Sequence, residues 1–324
     1  MVKFDISQAE NVYLIYNICM KKLSKRARIG TIILAVVLCV GVVGVTAWLI
    51  LGKANETTNE VVDENTETAD VEEVAEFVEP EFEGVSAEMI AAIRLERYYL
   101  EKNLERYAAY ARDNVDLMAE VIVRNVNSNL DRTRYVDVKD ADLSYGVLAM
   151  INKYNYLGNY EPDDLEYLGD GYTNGTAPYM RREAAEAFRK MADAARAEGL
   201  TLMNISGYRS YSLQDWLYKT YATQDGYTLA DTYSSRPGYS EHQAGLATDI
   251  NSVEVSFANT AEFRWLQEYA ADYGFIMRYP DGLEYITGFS YEPWHYRYVG
   301  VEAAQQIVRE GLTFDEYYAY YVEK

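Results

Sequence analysis

The chain has 324 residues, enough for one substantial domain with attachments and short for two large ones. Its formal net charge of -21 excludes nucleic acid as a natural partner, because a phosphate backbone demands a positive footprint. Cysteines number two, Cys19 and Cys39, and both precede the region with the texture of a folded domain, so no disulfide framework or thiolate metal site is available there. Histidines also number two, and most of the 32 tyrosines read as amphipathic packing residues.

Residues 29–51 form an apolar run without a charge, long enough to cross a hydrocarbon core of about 30 Å at about 1.5 Å per residue. Lys21, Lys22, Lys25, Arg26 and Arg28 precede it, and Asp and Glu dominate the segment after Lys53. The positive-inside rule then makes 1–28 a cytoplasmic tail, 29–51 a single transmembrane helix, and the remainder extracytoplasmic at the cell membrane. A cleaved signal peptide is the competing reading. Against it, the apolar run exceeds a usual signal core and no small-x-small cleavage site comes after it. A lipoprotein signal at Cys39 is opposed by Leu38, where a small residue is expected. Met20 opens a natural signal-anchor start, so 1–19 reads as a short tail or a misassigned start.

Residues 52–85 are rich in Glu, Asp, Thr, Asn and Val, the composition of a solvated, disordered spacer. Over 86–135, Met89, Ile93, Leu100, Leu104, Tyr107, Ala111, Val115 and Met118 recur at helical spacings. This predicts one long helix or a helical hairpin, acting as a stalk, a self-association element or a cap. From 143 the pattern becomes compact and mixed. Helices are expected at 143–156, 179–198 (closed by Gly199), 212–222, 261–273 (closed by Gly274), 301–309 and 314–322. Strands are expected at 202–205, 247–251, 275–278, 284–287 and 295–299. Strands and helices do not alternate regularly, so 143–324 reads as an α+β domain with a small mixed or antiparallel sheet flanked by helices.

Three segments carry chemistry: S-G-Y-R-S at 206–210, G-Y-S-E-H-Q-A-G-L-A-T-D at 238–249 and E-P-W-H at 292–295. A catalytic zinc takes three nitrogen or oxygen ligands and keeps a fourth position open. His242 and Asp249 lie seven residues apart across a glycine-containing segment leading into an apolar strand, and His295 supplies a third donor. A lone histidine is more often a hydrogen-bonded core residue than a ligand, and a strand-end Asp is commonly a turn residue. Glu292, three residues before His295, changes that balance: a carboxylate near but not on a metal can move the proton of an attacking water. Trp294 would wall such a site; the plainer reading of E-P-W-H is a strand start with a packed tryptophan. Arg209 fits an oxyanion, a substrate carboxylate or an ordinary salt bridge. Ser240 and Tyr239 could hydrogen-bond substrate or merely shape the turn.

Six stretches together resemble the VanY-type D-alanyl-D-alanine carboxypeptidase family of bacterial zinc peptidases, which shares its metal-site architecture with VanX-type dipeptidases and the Hedgehog signalling domain. They are I-N-K-Y-N-Y-L from Ile151, Y-E-P-D-D-L from Tyr160, S-G-Y-R-S-Y from Ser206, S-E-H-Q-A-G-L-A-T-D-I from Ser240, G-F-I-M-R-Y-P from Gly274 and I-T-G-F-S-Y-E-P-W-H-Y-R-Y-V-G from Ile286. The resemblance covers 143 onward and leaves the earlier segments unexplained. It implies a Hedgehog/DD-peptidase-like fold, Zn2+ on His242, Asp249 and His295, Glu292 as general base, and Arg209 as binder of substrate and stabiliser of the oxyanion. Thr248 stands where relatives often carry a small aliphatic residue. The implied activity is removal of the C-terminal residue of peptidoglycan stem peptides. The alternatives are an L,D-carboxypeptidase acting on tetrapeptide stems, or a non-catalytic wall-binding protein with a structural zinc.

Overall fold

The computed structural model describes residues 82–323. The described residues all belong to one compact unit. The expected tail at 1–28, membrane helix at 29–51 and most of the spacer at 52–85 lie outside them. Among the described residues no helix is long and apolar enough to cross a membrane.

The first part of the described chain is helical but neither one long helix nor a hairpin. Ser86 caps α1 (Ala87–Leu95) by accepting from the Met89 amide. The chain runs extended at Glu96, and α2 (Leu104–Asp113) and α3 (Ala119–Asn127) come next. Asn114 breaks the stripe: its backbone leaves helical space and its side chain donates to the Tyr110 carbonyl. Val115 and Met118 therefore fall in the connecting turn, 74% and 68% exposed, while Ile93, Tyr107, Ala111, Ile122, Val123 and Val126 form a buried cluster.

Two short strands, β1 (Lys139–Asp140) and β2 (Asn155–Tyr156), pair in parallel. The helix expected over 143–156 is absent. Only a 3-10 segment, Leu143–Leu148, forms, and Gly146 at φ 58°, ψ -121° cannot continue a helix. The Asn152 side chain then accepts from the Tyr154 and Asn155 amides, a local turn that competes with helix formation.

Strands β3 (Leu165–Tyr167), β4 (Thr173–Ala177) and β5 (Tyr179–Arg181) precede α4 (Arg182–Ala197). The residues 179–181, expected as helix, instead pair antiparallel with β3, and Arg181 is ion-paired to Asp164 at 3.0 Å. Along α4, Ala184, Ala185, Phe188, Met191, Ala192 and Ala195 recur at helical spacing, and all are buried in the main core.

Next come β6 (Asn204–Ser206), α5 (Tyr211–Asp225), α6 (Tyr227–Tyr233), β7 (Ala247–Ile250), α7 (Ala261–Tyr269), β8 (Phe275–Met277), α8 (Glu284–Thr287), β9 (His295–Tyr298), α9 (Val301–Glu310) and α10 (Phe314–Tyr317). The strand expected at 284–287 is the helical turn α8. There the Gly288 amide bonds the Glu284 carbonyl, and Gly288 at φ 80° ends the turn, so local closure overrides β propensity. The main sheet has the order β4-β6-β7-β9-β8, parallel only between β4 and β6. This is the α+β arrangement expected, with a mixed sheet packed on helices. Its central pair, β7 and β9, carries the chemistry.

Candidate metal centre

Register brings the key residues together. β7 and β9 pair antiparallel with Asp249 directly opposite His295, and β6 pairs with β7 so that Ser206 faces Asp249. The chain leaving β6 passes Gly207 to Arg209, just before Ser210 caps α5 through the Leu213 amide. His242 sits in a tight turn over 241–245, held by bonds from the Gln243, Ala244 and Gly245 amides to carbonyls three residues back. Gly245 (φ +67°) closes that turn, and a Cβ there would lie 3.0 to 3.1 Å from Arg181 and Leu165.

The candidate ligand atoms converge. His242 Nε2 is 3.6 Å and His295 Nδ1 3.3 Å from Asp249 Oδ1, and one donor atom from each residue lies within 4.8 Å of the others. A tetrahedral zinc with bonds of about 2.0 to 2.1 Å holds its ligand atoms about 3.3 to 3.4 Å apart. Among the described residues His242 Nε2 and Asp249 Oδ1 are buried without a hydrogen-bond partner, an arrangement that costs about 1–3 kcal/mol per group unless something binds them. The residues therefore fit a cation. Two imidazoles and a carboxylate are a donor set that suits zinc. His242 donates from Nδ1 to the Gly207 carbonyl at 2.8 Å, which directs Nε2 at the cluster.

Glu292 stands beside this set. Its Oε2 is 3.6 Å from His295 Nδ1, and its amide donates to the Tyr279 carbonyl. Burial pushes its carboxyl up to about 7, the range of a useful base. Burial, aided by Arg209, pushes His242 down to about 4. Burial also disfavours the charged form of His295, but Asp249 and Glu241 outweigh it and raise the ring to about 9. A bound cation competes with that proton, because ligands bind deprotonated.

A cavity of about 460 Å³ opens onto these groups, lined among others by Arg209, Ser240, Tyr279, Phe289 and Trp294. Among the described residues Arg209 Nε has no hydrogen-bond partner. Tyr239 does not line the cavity. Its ring packs 5.0 Å from Tyr135 and 4.9 Å from Tyr156.

The sequence reading missed Glu241, although it lies inside the S-E-H-Q segment. It also missed Tyr279 and Phe289 as walls of the cavity. The available signal was the pair Arg278 and Arg297, each flanked by aromatic or apolar residues near strand ends, where a buried cation requires a buried acid.

A family model described as VanY, D-alanyl-D-alanine carboxypeptidase, matches residues 177–301. The protein YodJ of Bacillus subtilis (strain 168) is 39% identical over 211 residues, spanning 60% of this chain and 77% of that protein. The chain belongs to the VanY family. A D-alanyl-D-alanine carboxypeptidase of Enterococcus faecalis (strain ATCC 700802 / V583) is 37% identical over 181 residues, 52% of this chain and 65% of that protein. Among solved structures, that of the LdcB LD-carboxypeptidase is 40% identical with a TM-score of 0.53, covering 56% of this chain and 90% of that one. As a VanY-family member the protein is a metallocarboxypeptidase, and zinc is the metal its donor set suits.

Proposed function

We propose that this VanY-family protein removes the C-terminal D-alanine from peptidoglycan stem peptides at the outer face of a bacterial membrane. The observation carrying the reading is Glu292, a buried carboxylate outside the His-Asp-His set, in one cavity with Arg209, which has an unpartnered Nε. A structural zinc site needs neither a spare base nor a free cation, so the non-catalytic alternative leaves both unexplained.

His242, Asp249 and His295 would hold zinc, which when bound supplies a Lewis acid that polarises a carbonyl and acidifies water. Glu292 takes the proton of the attacking water and returns it to the departing amine. Its burial raises the carboxyl above the ordinary carboxylate range, which favours taking the proton. Arg209 places a guanidinium where negative charge develops on the scissile carbonyl oxygen or where the substrate carboxylate ends. Ser240 lines the same cavity and offers a hydroxyl to the peptide.

The extracytoplasmic placement rests on the apolar run at 29–51 and the basic residues before it. A second reading, cleavage of an L,D bond in tetrapeptide stems, is favoured by the likeness to the LdcB LD-carboxypeptidase, 90% of which is covered at 40% identity. Incubating the full chain with defined penta- and tetrapeptide stems and weighing the products separates the two. Loss of one alanine from the pentapeptide alone supports the D,D reading, and trimming of the tetrapeptide with the pentapeptide intact overturns it.

A further inference from the structure

We infer that Glu241 is a positioning residue for the metal centre: its carboxylate holds the His295 ring so that Nδ1 faces the cation. The inference rests on the metal-centre reading and assigns a role to a residue that reading leaves idle.

Glu241 and Arg278 are 2% and 1% exposed, and Arg297 is fully buried. Both guanidiniums claim the same carboxylate oxygen: Arg278 Nε donates to Glu241 Oε1 at 2.7 Å, and Arg297 Nη1 approaches Oε1 at 3.1 Å. Among the described residues Oε2 has no hydrogen-bond partner, and it lies 3.5 Å from His295 Nε2, which has none either. Two buried, complementary, otherwise orphaned atoms facing each other define a contact to which each contributes the missing partner.

Charge balance agrees. Arg278 also donates to Asp315 at 2.6 Å, so two guanidiniums are matched by two carboxylates, Glu241 and Asp315. Neutralising the arginines therefore accounts for Oε1 and leaves Oε2 free for the ring. Arg297 is further fixed by donating to the Val147 and Ala149 carbonyls at 2.8 and 2.9 Å, which immobilises the carboxylate it holds.

The two histidines are thus backed differently. A backbone carbonyl fixes His242 through Nδ1, and a carboxylate fixes His295 through Nε2. A carboxylate behind a ligating imidazole sets its tautomer and raises its basicity, and losing such a partner typically costs about 10- to 100-fold in metal affinity. Glu241 immediately precedes His242, so one peptide unit delivers a ligand and the orienter of the other histidine.

The test is zinc titration of the full chain against a competing chelator, with imidazole 15N spectra of the zinc-loaded protein. Only two histidines exist, so each ring is read separately and His242 serves as the internal control. Glu241→Gln keeps the shape and Oε1 but turns an amide donor toward His295 Nε2. It should lower zinc affinity about 10- to 100-fold and shift the His295 nitrogens while those of His242 stay in place. Unchanged affinity, or equal shifts in both rings, overturns the inference. If the variant does not fold, the wild-type spectrum decides: His295 metallated at Nδ1 and protonated at Nε2 supports it, and metallation at Nε2 overturns it. A wild type that takes up no zinc refutes the metal centre itself. Stoichiometric zinc with no loss in Glu241→Gln refutes the role of Glu241 alone.

Discussion

Around His295 the interior is crowded with charge, whereas the helical cap over 87–127 fully buries apolar residues and a few amides but no charged residue. Glu241, Asp249, Glu292, Arg278 and Arg297 are all buried within the main domain. In the cap, Ile93, Tyr107, Ala111, Ile122 and Val126 form an apolar cluster, with the Tyr107 hydroxyl donating to Asn127 at its edge. The cap meets the C-terminal segment through Tyr98, whose ring stacks on Tyr320 at 3.8 Å and whose hydroxyl donates to Glu310 at 2.8 Å. Buried charge is a poor route to stability, because desolvation consumes most of the attraction. Apolar burial is the efficient route. The chain thus places expensive groups where chemistry needs them and inexpensive ones where only packing is at stake. Mutations in the two regions should separate accordingly.

The largest effect is expected at the ligands. His242→Ala should remove zinc, measured by elemental analysis of purified protein, and reduce hydrolysis of a stem peptide to background. Stoichiometric zinc in that variant would take His242 out of the ligand set. A packing change in the cap should do the reverse. Ile122, fully buried, should lose about 2–5 kcal/mol of stability as Ile122→Ala in urea unfolding, with kcat unchanged wherever the variant is folded. A fall in kcat that tracks the loss of stability would show that the cap also shapes the cavity.

The smallest effect concerns the seam between cap and C-terminal segment. Hydrogen bonds from Gln306, Tyr321 and Tyr98 hold the Glu310 carboxyl down to about 2, from an ordinary 4.5. A lowered carboxyl pKa contributes stability that is present above pH 4.5 and is lost as pH falls through about 2. The urea midpoint of the wild type should therefore exceed that of Glu310→Gln near neutrality, and the gap should close toward pH 2. The absence of any gap would assign the seam to the tyrosine stack alone.

The two regions also differed in how far the sequence disclosed them. His242, Asp249, His295, Glu292 and Arg209 could be named beforehand as candidates because chemistry restricts residue types at fixed spacings, and the register of β7 with β9 sets Asp249 opposite His295. Helix ends marked by Gly199 and Gly274 were readable from the αL preference of glycine. The cap's helical character showed in the spacing of Ile93, Tyr107 and Ala111. Its break at Asn114 did not, because a side chain capping its own helix leaves no mark on hydrophobic period. Gly146 and Asn152 likewise defeat a helix through local geometry that a periodic pattern hides. Glu241 escaped because its role depends on Arg278 and Arg297, distant in sequence and adjacent only after folding.

Glu292→Gln tests the central claim most directly, because it separates holding zinc from using it. Zinc content and stem-peptide hydrolysis are measured on the same purified full chain. The account predicts stoichiometric zinc with hydrolysis lowered by about 10²- to 10⁴-fold, the usual contribution of a positioned general base. Zinc retained together with wild-type hydrolysis would contradict it.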